Sequence, residues 1–222
     1  MTPHLKPGLT LICLLASFLP SCSRSPKPAG ESLSSTNTAK VVVVVMHTSA
    51  GDIFLELDPV HAPISTANFL AHADHHDYDG TIFHRVIPTF VIQGGGFTPD
   101  LKERAKADEA AGRKDTPIKN EWQNGLKNTR GTIGMARDTD PDTATREFYI
   151  NVADNVKLDG PRPTTGNAGY AVFGHVTRGM DVVDKIKNGR TTDRPDVIVD
   201  GEGMKNVPVD PVVILTVRRA SN

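Results

Sequence analysis

Along most of this chain apolar side chains recur in short runs, broken every few residues by glycine, proline and acidic turn residues. Residues 41–45 form a continuous β-branched run, the pattern of a strand buried on both faces. A turn over 47–52 leads into a returning strand over 53–57. Pro63 stands at a helix start, and Ile64, Ala67, Phe69, Leu70 and Ala73 follow at helical spacing. Strand patterns return at 81–85, 90–93, 131–136, 147–151, 171–176 and 211–217, with a second packing helix over 179–186. The charged, alanine-rich stretch 99–112 predicts a solvated helix that stops at Gly112. No internal repeat is present. Many short strands with only two packing helices predict a mainly β, antiparallel barrel.

The first forty residues carry a different pattern. Residues 1–21 read as a secretory signal peptide, with His4 and Lys6 before an apolar stretch, 9–19, too short to span a bilayer comfortably. Leu19-Pro20-Ser21-Cys22 resembles a bacterial lipobox, in which the cysteine becomes the lipidated first residue of the mature chain; Pro20 departs from the usual residue there. An ordinary cleaved signal would leave Cys22 as a free thiol. Residues 22–39 are rich in Ser, Pro and Thr and predict a disordered tether. As a coil, the 17 residues from 23 to 39 reach roughly 20–25 Å. The expected product is an exported domain, 40–222, held in the cell envelope by an N-terminal lipid anchor. Its stability must come from its core, because the chain's two cysteines, Cys13 and Cys22, both precede it.

Composition narrows the function. With 38% hydrophobic and 23% charged residues the chain is ordinary for a globular protein. A net charge of −1 argues against a nucleic-acid binder, which usually carries a basic face. His72, His75 and His76 read as the polar end of a helix rather than a metal site, since further ligands at useful spacing are missing. Gly94-Gly95-Gly96 is followed by no Gly-Lys-Ser/Thr, so a phosphate loop is rejected; the glycines allow close backbone approach near a groove.

The most informative run is Phe83-His84-Arg85-Val86-Ile87-Pro88-Thr89-Phe90-Val91-Ile92-Gln93-Gly94-Gly95-Gly96-Phe97. An arginine in so apolar a segment is either an edge residue facing water or a fixed donor beside an apolar pocket. The run resembles that of the cyclophilins, peptidyl-prolyl cis-trans isomerases. Two further segments match in order, residues 128–137 (NTRGTIGMAR) and 148–152 (FYINV). The resemblance spans roughly 41–219 and is weakest over 99–120. It implies a closed eight-stranded antiparallel barrel capped by a helix at each end. It also implies a monomer acting on proline-containing polypeptides without a cofactor. By the same resemblance Arg85 is the catalytic donor, Gln93 holds either Arg85 or the substrate backbone, and Phe90 joins them in the catalytic set. Phe90, Val91, Tyr149 and Leu158 should form the proline pocket. Ala136 and Arg137 should flank the preceding residue, with Tyr170 at the rim.

Four departures from the family pattern stand out. Tyr149 replaces a phenylalanine, bringing a hydroxyl that needs a partner. Glu147 replaces a glutamine, and the resemblance implies that its carboxylate lies close to Arg85 and could pair with it. Val91 replaces a common methionine, a smaller apolar wall. Lys157 stands where a tryptophan contributes to cyclosporin binding, so weak affinity for that drug is expected. An alternative to the enzyme is a module that binds proline-containing peptides as a chaperone, with turnover blunted by Glu147 and Tyr149.

Overall fold

The structure, a computed structural model, describes residues 41–220. The signal segment, Cys22 and the tether therefore lie outside the described residues. Eight strands close into an antiparallel barrel: β1 (Val42–Thr48), β2 (Gly51–Leu57), β3 (Thr81–Val86), β4 (Val91–Gly94), β5 (Thr132–Met135), β6 (Phe148–Asn151), β7 (Val172–Arg178) and β10 (Val213–Arg219). Their order around the barrel is β1-β10-β3-β4-β6-β5-β7-β2. Closure leaves these strands no free edge.

Interior positions alternate along each strand. Val44 and Met46 of β1, Ile53, Leu55 and Leu57 of β2, and Phe83, Ile92, Ile133, Phe148 and Phe173 are all buried. The valine run at the start of the domain thus has one buried face, not two. Val41 and Val43 are exposed, because a barrel strand has only one interior side.

Helix α1 (Pro63–Asp74) buries Phe69, Leu70 and Ala73 against the barrel end. Phe69 meets Phe148 edge-on at 5.6 Å between ring centroids. No residue next to the helix caps its N-terminus. Instead Glu121, from a distant loop, accepts from the Ile64 and Ser65 amides at 3.0 and 2.7 Å. Helix α3 (Met180–Lys187) buries Val182, Val183 and Ile186. It starts at Gly179, whose φ of 90° no β-branched residue would tolerate, and a Cβ there would strike the Asp52 carbonyl.

Two elements differ from the sequence reading. The insert carries a helix, α2, only over Arg104–Ala110; it is largely exposed, as its charges predict, but one of its residues is a buried anchor. Its Asp108 is buried and accepts from Arg146 at 2.7 Å and Arg113 at 2.5 Å. Arg146, itself buried, is also gripped by Asp115 at 2.6 Å. In addition β8 (Thr191–Val199) and β9 (Glu202–Pro208) form a two-stranded hairpin outside the barrel that the sequence reading did not predict. Its signal was Asp200-Gly201 behind a Val-Ile-Val run: both residues have positive φ, 51° and 84°, as a tight hairpin turn requires.

Candidate active site

Neighbouring strands place the site on the barrel's outer face. Arg85 pairs with Gln93 across β3–β4, Gln93 with Tyr149 across β4–β6, and Tyr149 with Gly134 across β6–β5. These four residues form one row, and the alternate positions Ile92, Phe148, Ile150 and Ile133 fill the interior behind it. Gly134 has no side chain because one would collide with the Tyr149 ring.

At one end of the row lies a small apolar cluster separate from the main core. Val91, Tyr149 and Leu158 are buried in it, with Phe90, Ala136 and Tyr170 packed partly buried around them. Sequence reasoning named all six, and the fold brings them together. The Tyr149 hydroxyl has its partner, donating to Asn128 Oδ1 at 2.6 Å. Burial pushes this phenol's pKa well above its ordinary value, so it remains a neutral donor. Tyr170 closes the rim edge-on to Tyr149, with centroids 6.2 Å apart. Lys157 lies over the Phe90 ring, its Nζ 4.4 Å from the centroid.

Arg85 sits half-buried beside this cluster and donates from Nη1 to Gln93 Oε1 at 3.2 Å. Burial lowers its pKa, opposed by the nearby Glu147 carboxylate; a guanidinium stays protonated through such a shift. Glu147 does not pair with Arg85. The intervening Gln93 holds it off, donating from Nε2 to Glu147 Oε2 at 2.7 Å. His84 Nε2 lies 3.4 Å from the same oxygen. Burial raises the Glu147 pKa, but the charge and hydrogen bond of His84, the Gln93 bond and the charge of Arg146 outweigh it. The carboxyl therefore lies below its ordinary range.

Arg137 is placed differently from a free substrate contact. Its guanidinium donates to the carbonyls of Asp138, Thr139, Thr165, Ala168 and Gly169 and stacks 4.2 Å from the Tyr170 centroid. It staples the two loops that bound the groove.

Asn128, which sequence reasoning did not single out, is the hub of the pocket floor. Besides the Tyr149 hydroxyl it accepts from Asn151 Nδ2 at 3.2 Å, and it donates to Asp159 Oδ1 at 3.0 Å. Asn155 likewise holds the Phe90 carbonyl at 2.8 Å. A cavity of about 550 Å³ adjoins Arg85, Gln93 and Ala136, walled by Glu103 and Ala105 of the insert and Asp200 and Met204 of the hairpin. Elsewhere His72 pairs with Asp77 at 2.8 Å and His76 with Asp79 at 3.1 Å, so two of the three clustered histidines are tied to single carboxylates.

Comparisons with known proteins give the family and the fold. Residues 43–219 match the family model described as cyclophilin type peptidyl-prolyl cis-trans isomerase/CLD. The chain belongs to the cyclophilin-type isomerases. It is 49% identical over 190 residues to a peptidyl-prolyl cis-trans isomerase of Acinetobacter baylyi, covering 85% of this chain and 91% of that one. It is 45% identical over 175 residues to peptidyl-prolyl cis-trans isomerase B of Escherichia coli, covering 79% and 98%. A crystal structure of a cyclophilin type isomerase from Cryptosporidium parvum superposes with a TM-score of 0.63 at 24% identity, over 82% of this chain and 99% of that one, and supports the fold. This cyclophilin is thus a peptidyl-prolyl cis-trans isomerase.

Proposed function

We propose that the row Arg85–Gln93 and the cluster beside it rotate X-Pro bonds in polypeptides folding outside the cytoplasm. The observation that carries this is a half-buried arginine, held by a single glutamine bond, at the edge of a buried apolar patch. An X-Pro bond turns over a barrier of about 18–20 kcal/mol because rotation breaks amide resonance. No covalent bond is made or broken, so catalysis consists of favouring the twisted amide over both planar forms. The apolar cluster of Val91, Tyr149 and Leu158 grips the proline ring. Phe90 and Tyr170 wall it, and Ala136 leaves room for the preceding residue. Arg85, with N–H groups not used by Gln93, donates to the prolyl nitrogen as its lone pair is released. Such a charge-assisted bond contributes about 1.5–3 kcal/mol; desolvation and fit in the pocket contribute the rest.

The leader supports export, and Leu19-Pro20-Ser21-Cys22 supports processing at Cys22 to a lipid-anchored envelope protein. The protein is taken to act as a monomer. Activity is tested on an Ala-Pro peptide with the full chain and Arg85→Ala. Turnover that survives in the variant overturns the role of Arg85; peptide binding without turnover in the unaltered chain would favour a chaperone. Mass measurement of the N-terminal peptide from membranes tests the anchor, with an unmodified Cys22 as the overturning result.

A further inference from the structure

We propose that Glu147 is a positioning residue, locking the Gln93 amide so that its oxygen faces Arg85. The inference rests on the reading of Arg85 as the donor. A glutamine amide has one accepting and one donating end and can be turned either way round. A guanidinium only donates, and an ionised carboxylate only accepts. Placed between the two, Gln93 satisfies both neighbours in one orientation alone, with Oε1 on Arg85 at 3.2 Å and Nε2 on Glu147 at 2.7 Å. The reverse orientation sets donor against donor and acceptor against acceptor.

Glu147 is itself held in place. His84, buried and packed on Phe97 with ring centroids 4.7 Å apart, lies at 3.4 Å from Oε2. On the other side Gly96 leaves the space the carboxylate occupies, since a Cβ there would fall on Oε1. The arrangement also explains how a carboxylate coexists with the donor. Separated from Arg85 by one amide, it orients the guanidinium without occupying the N–H groups needed for the prolyl nitrogen.

The test uses the full-length enzyme and kcat and KM on an Ala-Pro peptide. Glu147→Met removes the acceptor while keeping the volume. Losing the hold on a positioned donor lowers kcat about five- to tenfold, with KM within about twofold. Gln93→Glu sets two carboxylates against each other and falls at least as far. The reciprocal swap, Gln93→Glu with Glu147→Gln, rebuilds an acceptor for Arg85 and a donor–acceptor bond behind it. It recovers at least about fivefold over Gln93→Glu alone. Wild-type kcat in Glu147→Met, or a folded swap no more active than Gln93→Glu, overturns the lock; where the swap does not fold, Glu147→Met alone decides. An inactive Arg85→Ala beside an unaffected Glu147→Met removes the lock and keeps the donor, whereas an active Arg85→Ala overturns both.

Discussion

Single residues in the row differ in how much they do, and hydrogen-bond accounting separates them. Removing Arg85 deletes a charge-assisted donor worth about 1.5–3 kcal/mol, so Arg85→Ala loses roughly ten- to hundredfold in kcat/KM with the melting temperature little changed. Tyr149 is the opposite case. Its hydroxyl donates to Asn128 Oδ1, which also accepts from Asn151. Tyr149→Phe therefore leaves no buried acceptor empty. It costs about 0.5–1.5 kcal/mol of stability and leaves kcat/KM within about threefold; a tenfold loss would show that the hydroxyl touches the substrate. That Gln93 holds Arg85 was legible as one of the two roles the family resemblance implied, and the β3–β4 register sets the two side by side. The true partner of Glu147 was not. It depends on which strands adjoin around the barrel, and that Gln93 stands between the two charges follows only from the β4–β6 register.

At the scale of elements, the insert shows how far local pattern can mislead. The charges over 99–112 read as solvated, and much of α2 is exposed, yet Asp108 is a buried anchor that ties the helix to Arg146, two residues ahead of β6. Periodicity cannot reveal this, because the partner lies 38 residues on. Burial raises the Asp108 pKa, and the bond and charge of Arg146, with the charges of Arg104 and Arg113, more than reverse it. A depressed folded-state pKa means that stability is present above the ordinary carboxylate range and is lost as pH falls through the folded value. Asp108→Asn should therefore lower stability by about 3 kcal/mol at neutral pH. It should also flatten the acid limb of the stability profile below the ordinary carboxylate value of about pH 4. An unchanged acid limb would show that the docking does not depend on this charge. The β1 run misled in the reverse sense: five valines in a row reflect strand propensity, not burial on both faces.

For the whole molecule, the decisive property is closure, and it separates the barrel from what is attached to it. Strand β10 pairs with β1 on one side and β3 on the other, and supplies Ile214 and Val217 to the core. Without it β1 and β3, the latter bearing Arg85, expose unpaired backbone. The hairpin β8–β9 pairs only with itself and buries chiefly Val207, at its return to the barrel. A two-stranded hairpin contributes little stability of its own. The two ends of the chain's last third should thus respond oppositely. Removing the chain from Val213 onward abolishes cooperative unfolding and gives aggregates. Replacing 194–204 by a short turn, which keeps Val207, shifts the melting temperature by only a few degrees, since about 1 kcal/mol is at stake. Thermal melts of the two variants decide this. A collapse of the second to the state of the first would mean that the hairpin holds the barrel shut, and the wall it forms beside Arg85 would then be part of the fold's closure.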